Sequence, residues 1–235
     1  MRLHVIQHVP FEGPALIAEW AAARGHELIS ALALTEDYPP VGDVDFVIIM
    51  GGPMGADDEV ASPWLHAEKR FIAEAIASGK LALGVCLGAQ ILAEVLGGAV
   101  KRNPEREIGW LPVALSPAGR GERLFAKLPD AFVVGQWHSD TFDLPAGLKP
   151  SMSSDACVNQ AFVFDDRAVG LQFHLEWSQE SLTALIDACA DELASGGRWV
   201  MSAQEIQDAA AEHVDAGRRM LFAILDAMGG ERPRP

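Results

Sequence analysis

Residues 81–98, LALGVCLGAQILAEVLGG, decide the fold. Residues 81–85 form a short apolar run that reads as a buried strand, and residues 87–96 read as a helix stopped by the Gly97-Gly98 pair. Between them lies Gly84-Val85-Cys86-Leu87-Gly88, which has the G-x-nucleophile-x-G form of a nucleophile elbow. Glycines on either side of the central residue let the chain turn abruptly from strand to helix. The turn is expected to hold Cys86 in a sparsely populated backbone conformation and to present its thiol at the carboxyl end of the sheet. It also lies at the positive amino end of a helix, which predicts a thiol that ionises more readily than a free one.

The flanking sequence repeats the strand-then-helix rhythm of a parallel sheet with crossover helices. Residues 3–7 read as a first strand. Residues 13–24 have Ala15, Leu16, Ile17, Trp20 and Ala23 at helical spacing, with Gly25 as the stop. Residues 27–32 read as a second strand, and residues 45–50 (DFVIIM) as a third, covered on both faces. Ser62 is placed to cap a helix with Pro63 at its first position, running to Ser78 before Gly79. From Ala99 to Phe173 short extended runs alternate with turns, at 109–115, 132–137, 159–164 and 169–173, and read as antiparallel additions. Residues 178–194 are helical in pattern, Ser195-Gly196-Gly197 is a break, and residues 203–228 form a last helix with Ile206, Ala210, Val214, Leu221 and Leu225 inward. The prediction is an α/β protein of three layers, α/β/α, with a mostly parallel central sheet. Residues 1–197 form one domain and 198–229 a C-terminal helical extension packed on it or on a partner; residues 231–235 are expected to fray.

A chain of 235 residues that is 49% hydrophobic and 22% charged is globular in composition. Its net charge of −15 excludes a non-specific grip on nucleic acid or an anionic membrane, and leaves a small molecule or another protein as partner. The start, MRLHVIQHVP, lacks an apolar targeting core, and no segment reaches about 18 unbroken apolar residues, so a soluble, cytoplasmic protein is expected. Cys86, Cys157 and Cys189 are too few and too far apart for a disulfide scaffold or a paired-cysteine zinc site. A cysteine is therefore free for chemistry.

A thiolate nucleophile needs a base and a group to orient that base. In Leu171-Gln172-Phe173-His174-Leu175-Glu176, extended alternation sets His174 and Glu176 on one side, so the carboxylate can fix the imidazole tautomer. Gly51-Gly52-Pro53-Met54-Gly55 follows the third strand and opens at the same sheet edge as the elbow. Its glycines permit a backbone N–H to join that of Leu87 in an oxyanion hole. Gln136-Trp137-His138-Ser139-Asp140 fits either a turn cap or a ligand contact. Neither a metal site nor a cofactor is indicated, since His138 with Asp140 lacks a third ligand.

With GVCLGAQ at 84–90, QFHLE at 172–176 and GGPMG at 51–55, the chain resembles the class I glutamine amidotransferase family, and within it free-standing proteins similar to the glutaminase domain of GMP synthase. The match spans residues 44–177. The resemblance implies a flavodoxin-like amidotransferase fold, a γ-glutamyl thioester on Cys86, proton transfer by His174 oriented by Glu176, and oxyanion positions at Gly52 and Leu87. It also implies that Gln90 contacts bound glutamine and that Ser139 and Asp140 hold its amino-acid end. Leu175 stands where many members have proline, which changes local stiffness without removing a triad group.

No ATP-pyrophosphatase or other synthetase domain is expected after Trp177, where the sequence has room for about two helices. Three readings follow. The protein is a glutaminase that delivers ammonia to a separate synthase subunit, a stand-alone γ-glutamyl peptidase or hydrolase, or a non-catalytic binding module of the same fold. The sequence leaves association into a homo-oligomer open.

Overall fold

Phe46, Val47, Ile48 and Ile49 are all fully buried in the computed structural model of the chain, which describes residues 1–35 and 37–230. Their alternation sorts the core into two halves. Phe46 and Ile48 join Leu81, Leu83 and Val85 on one face of the sheet, and Val47 and Ile49 join Ala82 on the other.

The chain runs β1 (Arg2–Gln7), α1 (Ala15–Ala23), β2 (Glu27–Leu32), β3 (Phe46–Ile49), α2 (Leu65–Ala77), β4 (Leu81–Val85) and α3 (Leu87–Val95). There follow β5 (Ala99–Leu115), α4 (Pro117–Gly121), β6 (Ala131–Asp143), β7 (Met152–Ser153), β8 (Ala161–Phe164) and β9 (Ala168–Leu171). The last elements are α5 (Gln179–Ala188), α6 (Ala190–Ala194), β10 (Trp199–Val200) and α7 (Ala203–Gly229). The strands order as β10-β5-β7-β8-β9-β4-β3-β1-β2, with β6 paired to β5. Strands β9, β4, β3, β1 and β2 are mutually parallel, whereas β5 to β9 add antiparallel pairs. Helices α2 and α3 cover one face, and α1 with the second half of α7 covers the other, giving the three-layer α/β/α arrangement expected from the sequence.

Three local expectations are corrected. First, β5 and β6 are far longer than the runs 109–115 and 132–137. They form an antiparallel ribbon whose outer half is exposed at Lys101, Arg102, Pro104 and Glu105, so no apolar alternation marks it in the sequence. Second, Ser62 does not cap α2. Its backbone carbonyl accepts from Leu65 in a turn that leads into the helix, and the position before the helix is Trp64. Third, the helical stretch 178–194 is divided at Cys189 into α5 and α6, behind a capping box at Ser178.

Helix α7 begins at a second capping box, Ser202 with Glu205, and buries Ile206, Ala210, Leu221 and Leu225, with Val214 partly buried. Leu221, Ile224, Leu225 and Met228 enter the same core as Trp20 of α1, each apolar side chain contributing about 1.5–3 kcal/mol. The Trp20 indole N–H donates to Asp226 at 2.8 Å, and Arg24 pairs with the same carboxylate. Residues 231–235, whose fraying the sequence predicts, lie outside the described residues. No helix among the described residues is long and apolar enough to cross a membrane.

Candidate active site

The carboxyl ends of β1, β3, β4 and β9 converge on one edge of the sheet, where open α/β sheets bind ligands. At the end of β4, Cys86 has φ +52° and ψ −110°, the strained conformation expected of an elbow, and precedes the first turn of α3. The glycines are demanded by contact. A Cβ on Gly84 would lie 2.4 Å from the Gly88 carbonyl oxygen, and one on Gly88 would lie 2.0 Å from that of Ile49 in β3. The thiol faces the Trp137 carbonyl at 3.5 Å and the Gln172 side-chain amide at 3.8 Å. Its proton affinity corrects the sequence expectation. Burial raises the pKa above the ordinary thiol value, and the opposing pull of His174 and the Leu87 N–H does not overcome it.

His174 follows β9 and is held on both sides. Its backbone exchanges hydrogen bonds with Gly135 of β6 at 2.7 and 3.1 Å, and its ring stacks on Trp177 with centroids 4.4 Å apart. Gly135 makes room for that indole, since a Cβ there would lie 2.2 Å from it. The imidazole Nδ1 meets Glu176 Oε1 at 2.7 Å. The other carboxylate oxygen accepts the Leu175 N–H at 3.1 Å, a donor that proline at this position would lack. Burial alone would depress the imidazole pKa, but the Glu176 carboxylate and the nearby Cys86 more than offset it and hold it well above the ordinary value. Nε2 has no hydrogen-bond partner among the described residues. The ring is coupled electrostatically to the Cys86 thiol, and each favours the charged form of the other.

The loop after β3 packs on the elbow. A Cβ on Gly52 would fall 3.0 Å from Leu87 Cδ2 and 2.9 Å from His8 Cβ, so only glycine lets these segments approach. Two residues that sequence reasoning missed support the loop. His8, at the end of β1, bonds the Gly51 carbonyl through Nδ1 at 3.1 Å and pairs with Glu68 of α2 through Nε2 at 3.1 Å, both side chains fully buried. Burial lowers the His8 pKa, but the Glu68 carboxylate outweighs it and the net shift is upward. Glu12, in the same β1–α1 loop, lines the cavity beside Gly51 and His174. The rule that ligands bind at strand carboxyl ends was the available signal for both.

Gln90, Ser139 and Asp140 lie on the cavity wall beside Cys86. Gln90 donates to Gln172 Oε1 at 3.2 Å and to the Asp140 carbonyl at 3.4 Å, tying α3 to β6. Asp140 pairs with Arg102 at 3.1 Å. His138 does not share its site with the Asp140 carboxylate. A register shift in β5 between Arg102 and Glu107 sets Glu107 opposite His138, and the two pair at 3.1 Å with Cys157 close by. These three potential ligand atoms lie within 4.8 Å of one another, a cluster that sequence spacing did not reveal. Glu107 also accepts from Ser154 and Gln160 at 2.7 Å each, so its carboxylate is satisfied as a buried structural pair that locks β5 to β6.

The cavity measures about 360 Å³, within the range of small-molecule sites, and is lined by Cys86, Leu87, Gly52, Met54, Trp137 and the polar groups named above. The arrangement is that of an α/β protein with a strained cysteine elbow, beside a histidine held by a carboxylate. Residues 26–190 match the class-I glutamine amidotransferase family, and the chain belongs to it. It is 32% identical to the glutamine amidotransferase-like protein YfeJ of Salmonella typhimurium, over 88% of this chain and 90% of that one. It is 28% identical to a GMP synthase of Listeria monocytogenes over 76% of this chain, but spans only 34% of that enzyme. A glutamine amidotransferase structure from Thermotoga maritima superposes with a TM-score of 0.89 at 31% identity, covering 97% of each chain.

Proposed function

We propose that the protein hydrolyses the γ-amide of glutamine through a thioester on Cys86, releasing glutamate and ammonia for use by a partner synthase. The observation that carries this reading is the coupling of Cys86, on the cavity wall, to a His174 that is hydrogen-bonded to Glu176. His174 Nε2 takes the thiol proton, and Sγ adds to the γ-carbonyl carbon. The oxyanion is held by the backbone N–H groups of Leu87 and Gly52. The intermediate collapses by breaking the C–N bond, and the imidazolium gives its proton to the departing nitrogen. Water, deprotonated by His174, then adds to the thioester, and loss of the C–S bond returns the thiol and frees glutamate. Gln90, Ser139 and Asp140 are the proposed contacts of the substrate's amino-acid end. No step calls for a cofactor.

A second reading, a γ-glutamyl hydrolase acting on conjugates larger than glutamine, is favoured by a cavity roomier than one amino acid needs. Glutamate release from glutamine and from γ-glutamyl peptides, measured for wild type and Cys86→Ala, tests both readings. The glutaminase reading expects turnover of glutamine that rises when a synthase subunit is added. Higher kcat/KM for the peptides without any partner supports the second reading, and equal rates in wild type and variant reject both.

A further inference from the structure

We propose that Glu12 forms a subsite for a cationic group carried on the leaving amine of a γ-glutamyl amide, an inference that rests on Cys86-centred cleavage of such amides. The cavity is lined by three carboxylates, Glu12, Asp140 and Glu192, and two guanidinium groups, Arg102 and Arg106. Arg102 pairs with Asp140 at 3.1 Å and Arg106 with Glu192 at 3.4 Å. Glu12 is left over. It is half-buried, and its carboxylate makes no hydrogen bond or close ion pair among the described residues; its electrostatic neighbours are the His174 and His8 imidazoles, so it presents an anion on the cavity wall that no Lys or Arg neutralises.

Its position fixes which part of a ligand it would meet. A Cβ built on Gly51 would lie 2.0 Å from Glu12 Oε2 and 3.6 Å from His174 Cε1, so the carboxylate stands beside the imidazole that hands a proton to the departing nitrogen. The proposed amino-acid end of the substrate lies instead at Gln90, Ser139 and Asp140, where Gln90 is bonded to the Asp140 backbone. The carboxylate also works against the nucleophile. Burial is the largest cause that holds the Cys86 thiol protonated, and Glu12 adds to it. A cation seated against Glu12 would pair with the carboxylate and remove that opposition, so occupancy of the subsite and activation of the thiol favour each other. The fitting substrates are γ-glutamyl amides whose amine carries an ammonium or guanidinium a few carbons from the scissile nitrogen.

Three γ-amides of L-glutamate with matched chains test this: the 4-aminobutyl, butyl and 3-carboxypropyl amides, compared by kcat/KM in wild type and Glu12→Gln. Wild type is expected to prefer the 4-aminobutyl over the butyl amide by about tenfold or more, with the carboxylate-bearing amide slowest. In Glu12→Gln the 4-aminobutyl to butyl ratio is expected to fall to near one. An unchanged ratio overturns the proposal. So does a variant that slows all three amides by one factor, since Glu12 would then act only through His174. If wild type cleaves none of the three and no glutamine, the catalytic reading has failed separately. Calorimetric binding of the same amides to Cys86→Ser then decides the subsite: tighter binding of the 4-aminobutyl amide, abolished by adding Glu12→Gln, supports it, and equal binding of all three rejects it.

Discussion

Cys86 and His174 divide the electrostatic work of the site unequally. Burial pushes the thiol up, while Glu176 pulls the imidazole above its ordinary value against the same burial. The two shifts act in opposite senses on the proton transfer: Glu176 makes the imidazole a stronger base, while burial makes the thiol a weaker acid. On this account Cys86→Ala and Cys86→Ser abolish glutamate release and leave the circular dichroism spectrum and melting temperature close to wild type. His174→Asn is expected to lower kcat by about a thousandfold or more, and Glu176→Gln by less, because the amide can still orient the ring. Equal, small effects of the two substitutions on kcat would remove His174 from the chemistry. At this scale the sequence was most legible. A nucleophile between two glycines and an H-x-E pair are local patterns, and the Nδ1 to Oε1 contact they implied is present at 2.7 Å. Glu12 and His8 belong to no motif, and their one signal was their place just after the first strand. Their meaning comes only from β1 ending beside β3 and β4.

The elements matter through how closely they approach. Gly88 sits where α3 crosses the end of β3, and a methyl there would strike the backbone of Ile49, which cannot swing aside. Gly97 has φ +95° but open space around its Cα. Gly88→Ala is thus expected to cost about 3 kcal/mol or more and Gly97→Ala only about 1–2 kcal/mol, measured by urea denaturation. A similar loss for both would mean that the elbow is not packed as described. The loop after β3 depends on the buried His8–Glu68 pair. Because the His8 pKa is raised in the folded state, the pair's contribution is fully present below the ordinary histidine value of 6.5 and is lost as pH rises through the raised one. The stability difference between wild type and Glu68→Gln should therefore be about 1–3 kcal/mol at pH 6 and shrink toward alkaline pH. A difference that grows with pH would contradict the charged pair. Strands β3 and β4 were readable because burial on both faces demands unbroken apolar runs. The β5–β6 ribbon was not, because its exposed half is charged and its register turns on a shift between Arg102 and Glu107 that no periodicity announces.

Across the whole molecule, the sheet edge that carries Cys86 and the far carboxyl end are joined by one core. Helix α7 lies over the same face as α1, and Leu225, fully buried there, shares a cluster with Phe46, Leu83 and Val85 behind the elbow. Leu225→Ala is expected to cost about 2–5 kcal/mol in urea denaturation; a loss within about 0.5 kcal/mol would mean that the helix docks elsewhere in solution. The length of α7 and its inward positions were legible in the sequence but its seat was not, because an amphipathic stripe does not say which surface it covers. The central claim is that this fold presents Cys86 as a nucleophile for γ-glutamyl amides. Its most direct test is intact-protein mass spectrometry after incubation with a glutamine-like chloroketone, followed by mapping of the labelled peptide. The account predicts a single adduct on Cys86, blocked by excess glutamine or a γ-glutamyl amide and absent from Cys86→Ala. An adduct on Cys189 or Cys157 instead, or labelling of Cys86 that neither ligand slows, would contradict it.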